Sequence, residues 1–169
     1  MDPGLGGAYT IDLLFHLDSV ATGWRKLVDF KALTSDNGLY TYAGQWDCCC
    51  TPRIGFGTVD AGVDVRLTLT RDAVGLASAY IEGALLATSV DGGIGDFAGN
   101  AARFFIDDVN TGQNEAGAGQ VDHIRSFSTA LSAAEVANLA NPSNLPEPAT
   151  AVLALLDLAV IGRKGWRRR

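Results

Sequence analysis

Apolar and polar residues alternate in two stretches of this chain. Tyr9, Ile11, Leu13, Phe15 and Leu17 are apolar, with Thr10, Asp12, His16 and Asp18 between them and Leu14 as the exception. Val63, Val65, Leu67 and Leu69 alternate without fault against Asp64, Arg66, Thr68 and Thr70. A period of two sends successive side chains to opposite faces of extended chain, so both stretches read as half-buried strands. Shorter strand candidates cover residues 26–30, 38–43, 76–82, 84–90, 102–106 and 121–127.

Turn chemistry separates these runs. Asp36-Asn37-Gly38 and Asp91-Gly92-Gly93 lie between candidates, and Glu82-Gly83 occupies a two-residue hairpin position. Helical periodicity is almost absent from the body, with one exception. Ser132-Ala133-Ala134-Glu135 has the form of a capping box, in which hydroxyl and carboxylate satisfy each other's terminal amides. Val136 and Leu139 give that helix an apolar side, and it is expected to run near residues 132–139. Many short strands with Gly-rich turns predict an all-β, antiparallel sandwich.

The C-terminal pattern is different in kind. Pro146-Glu147-Pro148 interrupts the chain, an apolar run extends from Ala149 to Gly162, and Arg163, Lys164, Arg167, Arg168 and Arg169 close it. The prolines stop preceding structure from continuing. As a helix, residues 149–166 span roughly 27 Å, close to the ~30 Å hydrocarbon thickness. Asp157, in mid-run, costs on the order of 3 kcal/mol on insertion scales, which makes a permanent anchor marginal and a transient one sufficient. Proline-glutamate-proline, apolar run and basic end, in that order, resemble the PEP-CTERM protein-sorting signal of Gram-negative bacteria that make extracellular polysaccharide. The resemblance implies recognition by an exosortase, transient anchoring in the inner membrane, and delivery of the body to the cell surface or extracellular matrix.

Charge divides at the same place. The segment from Pro146 onward carries five Arg/Lys against two acids, a net of +3, and the 145 residues before it carry eight against seventeen, a net of −9. An acidic body excludes nucleic-acid binding, which needs cationic surface to replace phosphate counterions. The expected organisation is a domain over residues 1–140, a Pro-containing linker over 141–148, and a sorting helix over 149–169. Met1-Asp2-Pro3-Gly4-Leu5-Gly6-Gly7 has no basic or apolar export region, so the start is expected to be truncated. Cysteine occurs as Cys48-Cys49-Cys50 alone, without zinc spacing or a nearby His, and reads as a loop tip.

Catalytic chemistry is not apparent. His16 and His123 are the two histidines, both on strand positions among charged neighbours, and each is expected to face solvent. Asp107-Asp108 would point to opposite faces if their strand continued, which does not make a glycosidase pair. Asp107, Asp108, Asn110, Asn114 and Glu115 place oxygen atoms in one nine-residue loop, a donor set that suits calcium. The same residues also close ordinary surface turns through side-chain-to-backbone bonds. Gly92-Gly93-Ile94-Gly95-Asp96 reads as a turn. Trp24, Tyr40, Tyr42, Trp46 and Tyr80 are available either for the core or for stacking on sugar rings. Trp46, next to Gly44 and the Cys run, is the one expected to be exposed and to bind ligand.

The stretches Leu67-Thr68-Leu69-Thr70-Arg71-Asp72, Ala79-Tyr80-Ile81-Glu82-Gly83 and Phe104-Phe105-Ile106-Asp107-Asp108, with Val121-Asp122-His123-Ile124-Arg125 and Ala130-Leu131-Ser132-Ala133-Ala134-Glu135-Val136, resemble laminin-G-like domains. The resemblance covers roughly residues 9–139. It departs from the family at Cys48–Cys50, at the start, and at Ser126, where an aliphatic residue is usual. It implies a concanavalin-A-like jelly roll, a calcium ion on one rim, and a non-enzymatic domain that binds glycan or protein outside the cell. The alternative it leaves is a carbohydrate-active, glycosidase-like enzyme on the same fold.

Overall fold

The computed structural model describes residues 6–48, 56–97 and 101–141. The sorting segment from Pro146 to Arg169, and Cys49 and Cys50, lie outside these described residues. Ten strands and one helix follow in chain order: β1 Tyr9–Leu17, β2 Trp24–Asp29, β3 Gly38–Tyr42, β4 Gln45–Cys48, β5 Phe56–Thr58, β6 Val65–Arg71, β7 Leu76–Ile81, β8 Ala84–Val90, β9 Arg103–Phe104, β10 Gly119–Phe127 and α1 Ala133–Ala140.

They form two five-stranded antiparallel sheets. Sheet A has the order β10-β1-β6-β7-β8, and sheet B the order β5-β4-β3-β2-β9. The alternation seen in the sequence sets their facing. Tyr9, Ile11, Leu13, Phe15 and Leu17 of β1 turn inward with Leu67 and Leu69 of β6, against Leu27, Val28, Phe30, Leu39 and Trp46 on the sheet B side. Burying each large side chain of this set contributes about 1.5–3 kcal/mol. Aromatic contacts cross between the layers: Phe15 meets the Trp46 ring edge-on at 6.5 Å, and Phe97 lies 4.8 Å from Tyr9 and 5.2 Å from Phe30.

Local chemistry explains where strands stop. Glu82 and Gly83, both with positive φ (49° and 80°), make the tight turn between β7 and β8. A Cβ on Gly83 would lie 2.9 Å from Cβ of Ala140, so the bare turn is also where α1 docks. The helix carries the expected capping box at Ser132 and Glu135 and buries Val136. At one end of the sandwich Arg71 Nε and Nη2 donate to the two oxygens of Asp91, at 2.6 and 3.1 Å. Asp91 also accepts from the amides of Gly93 and Gly95, which makes the glycine segment a turn anchored on an ion pair.

Two expectations change here. The strand expected over 102–106 ends at Phe104 because Phe105 adopts φ +57°, so Asp107 and Asp108 do not straddle a sheet. Both carboxylates are buried instead. Trp46, expected to be exposed, is 4% accessible, because β4 turns it inward against Phe15.

Candidate functional site

The outer face of sheet B carries what sequence reasoning assigned to separate places. In an antiparallel ladder directly paired residues share a face. Trp24 of β2 pairs with Tyr42 of β3, Lys26 pairs with Tyr40, and Tyr40 pairs in turn with Asp47 of β4. With Trp46 and Leu39 facing the core, these alternate residues must face away from it.

Three rings form one cluster there. Trp24 lies 4.5 Å from Tyr42 with their planes tilted by 42°, and 5.6 Å from Tyr40, edge-on. Tyr40 is buried, whereas Tyr42 is 41% exposed and Trp24 is half-buried. The cluster thus presents an aromatic surface to solvent on a rigid strand pair. Tyr40 Oη donates to Asp36 Oδ1 at 2.6 Å, which holds an exposed carboxylate at the margin of the rings.

Beneath Tyr40 sits Lys26, whose side chain is fully buried. Its ammonium lies 5.2 Å from the centre of the Tyr40 ring, a cation–π distance. It donates to Asp108 Oδ2 at 2.6 Å and to Asp29 Oδ2 at 3.4 Å, and lies 3.6 Å from Asp107 Oδ1 and 3.9 Å from Asp36 Oδ1. Burial disfavours the ammonium, yet the bonds and charges of Asp108 and Asp29 outweigh it and raise the Lys26 pKa. Burial likewise disfavours the Asp108 carboxylate, and Lys26 with the amides of Asn110 and Thr111 holds its pKa below the ordinary value.

The loop expected as an oxygen-rich calcium site divides around this ammonium. Asp107 accepts from the amides of Asp108 and Glu115 and from the Thr111 hydroxyl. Asn110 turns its side-chain amide to the carbonyl of Thr34, and Asn114 to that of Thr111. These are the side-chain and backbone bonds of a closed turn, built round a lysine ammonium. Among the described residues no group of three or more His, Cys, Asp or Glu side chains is placed to hold a metal ion. The five residues therefore do not fit one calcium shell as they stand.

Glu115 differs from its neighbours. Its carbonyl accepts from the Lys26 amide, so it continues the edge of sheet B beside β2. Its Oε2 is enclosed without a hydrogen-bond partner. Burial, and then the charges of Asp107 and Asp36, push its pKa up to about 7.

The outer face of sheet A holds a second polar centre. Asp12, fully buried, accepts from Thr68 at 2.8 Å and from Arg125 Nη2 and Nε at 2.6 and 2.9 Å, and pairs with His123 Nε2 at 3.0 Å. Burial works against its charge, and these bonds keep its pKa below the ordinary value. His123 is thus tied to a buried carboxylate, and His16 lies 2.7 Å from Asp64. Both rings are partly buried and bonded to carboxylates, where the sequence pointed to solvent-facing rings.

The fold has many counterparts among solved structures. The chain is similar to the CBM40 domain of the Ruminococcus gnavus IT-sialidase bound to α2,3-sialyllactose, with 15% identity over 81% of this chain and 84% of that one (TM-score 0.63). Domain 4 of the extracellular arabinanase of Geobacillus stearothermophilus, in complex with arabinotriose, is similar at 16% identity over 81% of this chain and 68% of that one (TM-score 0.59). The Trypanosoma rangeli sialidase in complex with 2,3-difluorosialic acid matches at 16% identity and a TM-score of 0.60; 82% of this chain aligns with 23% of the sialidase, so the chain spans about a quarter of that protein. At these identities the likeness is one of fold. No protein-family model and no curated protein matches the chain.

Proposed function

We propose that this protein is a non-enzymatic glycan-binding domain, with the outer face of sheet B as its binding surface. The observation that carries the reading is the Trp24–Tyr42 pair, an exposed aromatic surface held on adjacent strands beside the Asp36 carboxylate. Aromatic faces pack against the apolar side of a pyranose ring, and a marginal carboxylate accepts from its hydroxyls. The likeness to a carbohydrate-binding module and to a domain in complex with an oligosaccharide supports the same reading, as does a sandwich of the concanavalin-A-like kind. Binding without catalysis is supported by the state of the nearby acids. A glycosidase needs two carboxylates converging on a cleft, whereas Asp107 and Asp108 are buried under bonds to Lys26 and backbone amides.

The sequence supports an address as well as an activity. In this reading the tail from Pro146, Glu147 and Pro148 to Arg169 is cut by an exosortase, after transient membrane anchoring, and the domain is left at the cell surface or in an exopolysaccharide matrix. Co-expression of an exported form with a cognate exosortase gives a product lacking the tail, and Glu147→Ala leaves it attached; a retained tail in the unmutated chain overturns the address alone.

A glycan array probed with the full chain tests the activity. Binding that is lost in Trp24→Ala and Tyr42→Ala, with cooperative unfolding retained, supports the reading. Binding that survives both substitutions moves the site elsewhere.

A further inference from the structure

We infer that this face selects uncharged saccharides and rejects anionic ones, such as sialic acids and uronates. The inference rests on the reading of the face as a glycan platform and names the class of ligand it takes.

Charge decides which saccharides this face takes. Asp36, Asp107 and Asp108 all lie within 4 Å of Lys26 Nζ, as does Asp29, and Glu115 is close enough to feel Asp107 and Asp36. One ammonium therefore faces four carboxylates within 4 Å. That ammonium is also out of reach, since its side chain is fully buried and bonded to Asp108. The other cations of β2 and the loop after it are bonded to backbone carbonyls, and the exposed Arg103 of β9 is paired in the ladder with Asp29, at the opposite end of β2 from Trp24. Arg25 Nη1 donates to the Trp24 carbonyl at 2.6 Å, and Lys31 Nζ to the carbonyls of Asp96 and Gly93 at 3.0 and 3.3 Å. Beside Tyr40 the margin offers a ligand the exposed Asp36 carboxylate, an acceptor and an anion. Sugar hydroxyls are donors to such a group, and a sugar carboxylate is repelled by it.

Recognition of a carboxylated sugar runs the other way: it calls for an accessible Arg or Lys, Arg above all for a bidentate pair. The fold shared with a domain bound to sialyllactose thus carries an electrostatic surface suited to a different ligand.

The test is a calorimetric titration of the full chain with matched pairs, lactose against 3′-sialyllactose and a neutral pyranose oligomer against its uronate counterpart. It is run at low salt and at about 0.5 M salt, where exposed charges are screened beyond roughly 4 Å. The expected result is a neutral member bound at least about tenfold more tightly at low salt, with a gap that narrows at high salt and in Asp36→Asn. An anionic member bound as tightly or more tightly at low salt overturns the inference and leaves the platform standing. Failure of every neutral and anionic probe to bind overturns the platform reading, and the inference with it.

Discussion

Lys26 Nζ lies 2.6 Å from Asp108 Oδ2, and both side chains are wholly buried. The two residues are 82 positions apart, so this pair pins the loop after β9 to the face of sheet B that carries Trp24 and Tyr42. Removing one member of a buried pair strands the other charge, at a cost of about 3–5 kcal/mol. Lys26→Met is therefore expected to lower unfolding free energy by about that amount in urea, more than the loss in Asp36→Asn, whose carboxylate is exposed. Equal losses would show that the ammonium does not organise the loop. Because Lys26 already serves as the cation, millimolar calcium and chelator are expected to give the unmutated protein the same melting midpoint. A midpoint raised by calcium would assign the loop a metal ion after all.

The two surface rings, Trp24 and Tyr42, and the buried Trp46 separate function from stability. Trp24→Ala and Tyr42→Ala are expected to weaken saccharide binding at least about tenfold with stability losses of about 1–2 kcal/mol each, smaller than that of a core ring. Trp46→Ala removes a core ring packed on Phe15 and is expected to cost about 3–5 kcal/mol of stability. Urea denaturation of the three variants beside glycan titration checks the contrast; a stable Trp46→Ala protein that has lost binding would reverse the assignment.

Stability is expected to depend on pH in two opposite senses. The folded pKa of Glu115 is raised from 4.5 to about 7, so folding favours its protonated form. Its contribution is present below the unfolded value and is lost as pH rises through about 7. Asp12, Asp91 and Asp108 are depressed below 3.8, so their contribution is present above that value and is lost as pH falls through their folded values. Glu115→Gln is expected to flatten the decline in melting temperature between about pH 4.5 and 8 while leaving the acid limb in place. A decline of the same steepness in the variant would assign the alkaline loss to another group.

Much of the sandwich was legible because alternation is a local signal. Residues 84–90 are a strand with the bounds read from pattern, the alternation from Tyr9 to Leu17 is β1, and Ser132 of the capping box is the N-cap of α1, which runs one residue later than expected. β4 and β5 were not read. Gln45-Trp46-Asp47-Cys48 is four residues long and follows Gly44, so it offers no alternating run, and only the pairing with β3 turns Trp46 to the core. The site was half visible: Tyr40 and Tyr42 stood at strand spacing, but the register that puts Trp24 opposite Tyr42 is a tertiary fact. The carboxylate loop was found as a cluster and its cation was not, because Lys26 is remote in sequence and looks there like any strand lysine.

Which tryptophan a saccharide meets decides between the two faces of sheet B. The chain has three, Trp24, Trp46 and Trp166, so its indole N–H resonances can be followed one by one in an NMR titration of the full protein with a neutral oligosaccharide that binds it. The predicted result is a saturable shift of the Trp24 indole signal, absent in Trp24→Phe, while the Trp46 signal stays in place. A ligand that binds and moves Trp46, or leaves Trp24 unmoved, would contradict the assignment of the binding surface to the outer face of sheet B.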